Sequence, residues 1–125
     1  MVRINLSATD QRQTTNATPS EFGLFGFPDM SIALMNVMVM AVRSDGATKT
    51  WGGTALIRKF GGSLELIESF PVGLNLFASA ADAVALSTVS IALFSDATYV
   101  GVTITGQAGQ TIEWIVTFIG EGMTL

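Results

Sequence analysis

Large apolar residues occupy every second position on both sides of a short connector, Gly106 to Gly109, near the end of the printed sequence. These residues are Val100, Val102, Ile104, Ile112, Trp114, Val116 and Phe118. A period of two in β-branched and aromatic side chains is typical of half-buried β-strands. Because the connector contains two glycines and is short, the pattern predicts a β-hairpin between Tyr99 and Phe118.

Other stretches of the chain also predict strands separated by turns. The predicted strands are Ser31 to Arg43 (one long strand or two), Lys49 to Phe60, Ser63 to Ser69 and Thr88 to Phe94. Gly52 and Gly53 predict a bulge or a close approach of backbones, and Ala78 to Leu86 predicts a loop or a short helical turn. Many short strands without regular helices favour an all-β fold, as an antiparallel β-sandwich or jelly roll.

The first thirty residues differ in character from the rest of the chain. They are polar and turn-rich, with prolines at positions 19 and 28, although Val2 to Leu6 alternates and predicts a short initial strand. Four large apolar residues then follow closely: Phe22, Leu24, Phe25 and Phe27. We expect residues 1–30 to form an extended N-terminal arm and residues 31–125 to form the β domain. The arm packs either over its own sandwich or onto a neighbouring subunit.

The composition is unusually apolar for a single domain of 125 residues. Hydrophobic residues make up 49% of the chain and charged residues 13%, with a mean hydropathy of +0.51. The longest apolar run, Ile32 to Val42, is interrupted by Asn36 and is shorter than the ~18–20 residues of a spanning helix. We therefore expect no membrane partner and no signal peptide, but a soluble chain whose apolar patches meet another protein surface.

Several apolar residues fall on the side of a strand that faces away from the predicted core. Ile115 and Ile119 alternate with the buried stripe of the last strand, and Ser31 to Val42 is apolar on both faces. Met30, Met35, Met38 and Met40 form a ladder that either fills the core or adapts to a neighbouring subunit. A second apolar surface on antiparallel strands predicts a homo-oligomer.

The residue inventory excludes many kinds of chemistry. The chain has no cysteine and no histidine, which removes disulfides, thiolate chemistry, Ser-His-Asp triads and histidine-based zinc sites. Its six basic residues are scattered and the net charge is −4, so nucleic-acid binding is not expected. The carboxylates form no catalytic pair or metal cage. The sequence predicts no catalytic residue, no cofactor and no metal, and hence no enzyme.

Two segments of the sequence carry a family resemblance. The first is AVRSDGATKTWGGTALIRK, with its turn at Ala41 to Gly46, and the second is VTITGQAGQTIEWIVTF. The second contains the motif residues Thr105, Gly106, Gly109, Thr111, Ile112 and Trp114. Together they span Val39 to Phe118, and the pattern resembles small β-rich proteins and fibre-domain segments of tailed-phage virions. The resemblance implies a non-enzymatic structural role, usually as a trimer, in the capsid shell or in a tail or fibre.

These observations predict a homotrimeric capsid cement (decoration) protein on the capsid surface of a virion, made in the host cytoplasm. Its expected partners are further copies of itself and the major capsid protein. The expected contact residues are Phe22, Leu24, Phe25, Phe27, Met35, Met38, Met40, Ile115 and Ile119. The alternative is a tail or fibre head that binds a host receptor carbohydrate by stacking on Trp51 and Tyr99.

Overall fold

The computed structural model describes residues 2–26, 28–70, 77–79, 86, 90–95 and 99–125. The strands in these ranges are β1 (Val2–Thr14), β2 (Ser20–Phe25), β3 (Ser31–Arg43), β4 (Thr48–Phe60), β5 (Ser63–Phe70), β6 (Phe77–Ala78), β7 (Ser90–Ser95), β8 (Val100–Thr105) and β9 (Ile112–Thr124). Within this part of the chain there is no helix long and apolar enough to cross a membrane. Most of residues 78–86, the predicted loop or helical turn, lies outside the described residues.

The strands form two antiparallel sheets, which confirms the predicted all-β class. The larger sheet has the order β1-β9-β3-β4-β5, with the short β6 also paired with β4. The smaller sheet has the order β2-β8-β7. Buried side chains from both sheets belong to one hydrophobic core, so the sheets share their inner faces as in a sandwich.

Strand β9 supplies the centre of that core. Its residues Ile112, Trp114, Val116 and Phe118 are fully buried, as their alternation predicts. The Trp114 ring lies 5.8 Å from the Trp51 ring, centroid to centroid, at a tilt of 33°. The indole Nε1–H of Trp114 donates a hydrogen bond of 2.8 Å to Oγ1 of the buried Thr14. The one polar atom of the largest core side chain is therefore satisfied by the end of β1.

The predicted hairpin between β8 and β9 is wrong in its pairing. The two strands are consecutive along the chain, but β8 pairs with β2 and β7, whereas β9 pairs with β1 and β3. The connector that begins at Gly106 therefore crosses from one sheet to the other. Alternation gives the buried face of each strand but not its hydrogen-bonded neighbour, so both strands could keep their apolar faces inward in different sheets.

The polar segment expected to form an arm is extended, and most of it is paired within the two sheets. Residues 2–14 pair along their full length with β9, and residues 20–25 pair with β8. The Arg12 guanidinium lies over the Phe22 ring, 3.9 Å from its centroid, which connects β1 to β2. The described part of residues 1–30 thus packs on its own chain, and only the division of the chain at residue 30 stays a prediction.

The bulge in the large sheet lies at a different place from the predicted one. The pairing of β3 with β4 is continuous at Gly52 and Gly53, and a Cβ at Gly52 would lie 3.7 Å from the nearest atom, the Val37 carbonyl oxygen. The register shifts instead between β4 and β5, at Leu56 and Ile57. A register shift at an edge strand is a common site for a bulge.

Close approach of backbones occurs at two other glycines, near the end of β9. A Cβ at Gly120 would collide with the carbonyl oxygen of Leu34, and a Cβ at Gly122 would collide with that of Ile32. Both glycines pair with β3, so their lack of a side chain allows this part of β9 to lie tightly against β3.

We expect Thr14→Val to destabilise the fold. Valine keeps the branched shape but removes the acceptor, which leaves the buried indole N–H of Trp114 without its hydrogen bond at a cost of about 1–3 kcal/mol. Thermal unfolding followed by circular dichroism checks this. Thr14→Ser, which keeps the hydroxyl, is the control, and equal melting temperatures for the two variants would contradict the role of the hydrogen bond.

We also expect Gly120→Ala to destabilise the fold, by roughly 1–3 kcal/mol, because the added methyl group overpacks the contact with β3. Gly52→Ala is the matched control, since its new Cβ would make only an ordinary contact. Urea unfolding of both variants measures the difference. A stability loss as large in Gly52→Ala as in Gly120→Ala would show that the close approach is not its cause.

Candidate functional site

The outward side of the large sheet carries a series of exposed apolar side chains. On β3 the outward residues include Leu34, Met38 and Met40, whose exposed fractions are 56%, 51% and 44%. Val42 on β3 and Ile119 and Met123 on β9 are also exposed. These six residues, with Ile32, Asn36 and Ile115, are called the outer face below.

The strand register brings the outer face together from two neighbouring strands. Ile32 pairs with Met123, Asn36 with Ile119, and Met40 with Ile115. Directly paired residues of an antiparallel sheet have Cβ atoms about 4.5–5.5 Å apart, so these side chains are adjacent. Four of the predicted contact residues, Met38, Met40, Ile115 and Ile119, therefore lie on one continuous surface.

Polar side chains surround this apolar centre. On one side the outward residues of β1 are Arg3, Asn5, Ser7, Thr9, Gln11 and Gln13. Arg3 forms an ion pair with Glu121, and Gln13 Nε2 donates to Glu113 Oε1 at 2.9 Å. On the other side Arg58 pairs with Glu65 at 2.5 Å. An apolar centre with a polar rim is the arrangement found at protein–protein interfaces.

Asn36 is the one polar residue in the outward series of β3, whereas on β9 the outward Thr117 and Glu121 pair with Met38 and Leu34. The rest of the series on β3 is apolar: Ile32, Leu34, Met38, Met40 and Val42. Among the described residues the Asn36 side chain has one hydrogen bond, a weak one in which Thr54 Oγ1 donates to Oδ1 at 3.4 Å. The amide group is exposed and lies near the middle of the face.

Two of the predicted contact residues are buried within the chain. Phe22 is 1% exposed and Met35 is 0% exposed. Met35 lies three residues before Met38 on β3, and because side chains alternate between the two faces of a strand, Met35 points into the core. Phe22 packs into the core from β2. Neither side chain is available on the surface of this chain, which corrects their assignment as contact residues. Phe27 lies outside the described residues, as do the side chains of Leu24 and Phe25.

Sequence reasoning missed Leu34, Val42 and Met123 as members of the outer face. The sequence does contain this information: Leu34 and Val42 lie an even number of residues from Met38, and Met123 lies an even number from Ile119, so they share the same face of their strands. The methionines were grouped by residue type, which placed the inward Met35 with the outward Met38 and Met40. Whether two residues are separated by an even or an odd number of positions along the strand is the better criterion for whether they share a face.

The two predicted stacking residues are placed differently. Trp51 is 8% exposed and packs against Trp114, with the Lys49 ammonium 5.5 Å from its ring centroid. Tyr99, just before β8, is 43% exposed. The ring faces of Trp51 are thus occupied by the chain itself, which argues against this residue as a platform for a sugar.

The two resemblance motifs meet at one end of the sandwich. Arg43 Nη1 donates to Gln107 Oε1 at 3.0 Å, and the backbone N–H of Ser44 donates to the Thr111 carbonyl at 3.0 Å. The β3–β4 turn is therefore tied to the β8–β9 connector. These hydrogen bonds give the two segments a structural role: they fix the connector that links the two sheets.

Asp45 organises the turn between β3 and β4. Its carboxylate accepts two hydrogen bonds from the Arg43 guanidinium, at 3.0 and 2.6 Å, and a third from the Ala47 backbone N–H at 3.1 Å. The Arg43 hydrogen bonds, together with that of Ala47, lower the pKa of Asp45 from 3.8 to about 2. Gly46 completes the turn with a φ of +92°, a conformation that suits glycine.

The described residues bring no cluster of three acidic, histidine or cysteine side chains together. Within the same part of the chain, every buried side-chain nitrogen or oxygen has a hydrogen-bond partner. The outer face, by its apolar side chains and its size, is suited to contact with another macromolecule.

The lowered pKa of Asp45 predicts a pH dependence of stability. Because its pKa is depressed in the folded state, the carboxylate adds stability above pH 4, and this contribution is lost as the pH falls towards about 2. We expect the melting temperature of the wild type to exceed that of Asp45→Asn near neutral pH, and the difference to shrink on acidification. A constant difference between about pH 5 and pH 2 would contradict this assignment.

Among known proteins, this chain has a distant structural neighbour. No protein-family model matches the chain, and no curated protein matches it. Among solved structures, the chain is similar to the tailspike protein of Acinetobacter phage vB_ApiP_P1, with a TM-score of 0.32 and 15% sequence identity. The match covers 95% of this chain and 22% of the tailspike chain, so this chain spans about a fifth of the tailspike's length. Similarity at this level does not establish a shared function.

Proposed function

We propose that this chain is a structural, non-enzymatic protein of a tailed-phage virion, and more specifically a capsid cement (decoration) protein. The observation that carries the proposal is the outer face, which leaves Leu34, Met38 and Ile119 each more than half exposed in the isolated chain. An apolar centre of this kind on a rigid sheet is suited to permanent contact with protein.

The mechanism is mechanical. Burial of the outer face between copies of the chain stabilises their self-association, by about 25 cal/mol per Å² of apolar surface removed from water. Linked copies would hold several capsid subunits at once, and the second contact of a linked pair forms at a high effective concentration. Weak contacts with the major capsid protein would then add up to firm attachment.

The predicted role of residues 1–30 as a gripping arm needs a different test from deletion. Removing these residues would take β1 from the large sheet, β2 from the small sheet and Phe22 from the core. Loss of capsid binding would then report unfolding. Substitutions of outward side chains leave the core intact and are the appropriate probes.

Carbohydrate binding by a tail or fibre head has less support. Its sequence-based case depends on Trp51 and Tyr99, and the first of these is packed against Trp114. We therefore keep host polysaccharide as the comparison ligand in the experiment below.

The experiment mixes the purified protein with undecorated capsids built from the major capsid protein of the same genome, and separately with host surface polysaccharide. Sedimentation measures the bound fraction. We expect the protein to sediment with capsids and not with polysaccharide. Met38→Glu should reduce capsid retention at least tenfold, because it places a charge in the apolar centre.

Thr9→Glu is the matched control, since Thr9 is also outward-facing but lies on the polar rim on β1. It should retain capsid binding. Wild-type protein that stays in solution with capsids, or that sediments with polysaccharide, would overturn the proposal.

A further inference from the structure

The outer side of the large sheet has the size of a stable interface between two proteins. Strands β1, β9, β3 and β4 each contain 13 residues. At about 4.8 Å between strands and about 3.3 Å per residue, four such strands cover roughly 800 Å². A standard protein–protein interface also buries about 800 Å² on each partner. A face of this size can be covered by the same face of a second copy.

We propose that two copies of the chain pack their outer faces together about a two-fold axis. The axis lies in the plane of the interface, perpendicular to β3, and passes over Asn36. This inference rests on the self-association proposed above and names its partner as a second copy in one defined orientation.

The orientation follows from the register of β3. Rotation about this axis reverses the strand direction, so residues at equal distances from Asn36 face each other. Leu34 then faces Met38 of the second copy, and Ile32 faces Met40. Apolar side chains therefore meet apolar side chains along the exposed length of β3 on both sides of Asn36.

Strand β9 is paired with β3, so the same axis sets its contacts. Ile119 pairs with Asn36 within the sheet, so it lies beside the axis and faces Ile119 of the second copy. Met123 and Ile115 are each four residues from Ile119 and face each other. Thr117 and Glu121, each two residues from Ile119, form a polar pair between these apolar contacts. Packed sheets are usually rotated by about 30°, which preserves the contacts close to the axis.

Axes parallel to the strands give poorer contacts. An axis between β3 and β9 would place Arg3 against Arg58 of the second copy and Ile119 against Asn36. An axis along β3 would place Met123 against Arg58. Like charges and mismatched polarity at an interface oppose these arrangements.

Asn36 acquires a task in this arrangement. The two amides meet at the axis, where each NH2 can donate to the Oδ1 of the other. The pair is then satisfied on burial, whereas any shifted register would bury a lone amide against an apolar side chain. A central polar residue that fixes register in this way has the same physical role as a buried asparagine in a coiled coil.

The absence of cysteine from the chain makes crosslinking a direct test of the orientation. Single-cysteine variants Asn36→Cys and Val42→Cys are treated with a short bis-maleimide. Asn36→Cys should crosslink to a dimer in high yield. Val42 is six residues from Asn36, so the two copies of residue 42 would be about 40 Å apart and should not crosslink. Equal crosslinking of both variants would overturn the perpendicular axis.

Mass and affinity measurements test the pairing itself. Light scattering at micromolar concentration should give twice the chain mass of 13.2 kDa. A monomer would overturn the proposal, and so would a mass of three chains, the number that the family resemblance implies. Either mass could occur with intact capsid binding, so this failure is distinct from failure of the proposed function.

Asn36→Asp places two carboxylates at the axis and should weaken the dimer about tenfold or more near neutral pH, with recovery under acid conditions. Gln11→Glu is the matched amide-to-acid control on the same side of the sheet. Its carboxylate would lie opposite Arg3 of the second copy, so the dimer should be as strong as the wild type or stronger. Equal weakening by both substitutions would overturn the placement of Asn36.

Discussion

The position of β9 between β1 and β3 is the constraint on which both surfaces of the large sheet depend. Because side chains alternate along a strand, the residues that fill the core from β9 also determine which residues face outward. Trp114 and Phe118 point inward, so Ile115 and Ile119 have no place in the core. The same holds for β3, where inward Val37 and Val39 require outward Met38 and Met40. The core and the outer face are thus two consequences of one register.

The segments that gave the family resemblance hold the two sheets together at one end of the sandwich. The turn around Asp45 and the connector at Gln107 are joined by Arg43, at the end of the sandwich where the chain passes from β8 to β9. Gly106 lies close to Thr14, the residue that accepts the Trp114 hydrogen bond, and a Cβ at Gly106 would come within 2.6 Å of the Thr14 hydroxyl.

Alternation along the chain was sufficient to predict β3 with both of its bounds, most of β4, β5, β7 and β8, and the burial of the β9 stripe, but not β2, which carries the core residue Phe22. It could not predict which strands are hydrogen-bonded to each other, because backbone pairing uses groups that nearly every residue type has. Alternation alone therefore predicts a hairpin at the β8–β9 connection, where the structure has a crossover between sheets. Asp10 to Gln13 lies in β1 although it lacks apolar residues, since an edge strand can be held by backbone pairing with β9. The outer face was only partly predicted, because Leu34 and Val42 are recognised as its members by their even spacing from Met38 and not by residue type.

The methionines of the outer face add a chemical consequence to its packing role. Met38, Met40 and Met123 are exposed in the isolated chain, and the chain has no cysteine that could compete for oxidants. Oxidation of a thioether to the sulfoxide converts an apolar, flexible side chain into a polar one. Oxidation of these three methionines would make the outer face about as polar as the residues around it. An unassembled copy in an oxidising medium would thus lose the ability of its outer face to associate, whereas a copy whose outer face is already covered by its partner would keep it.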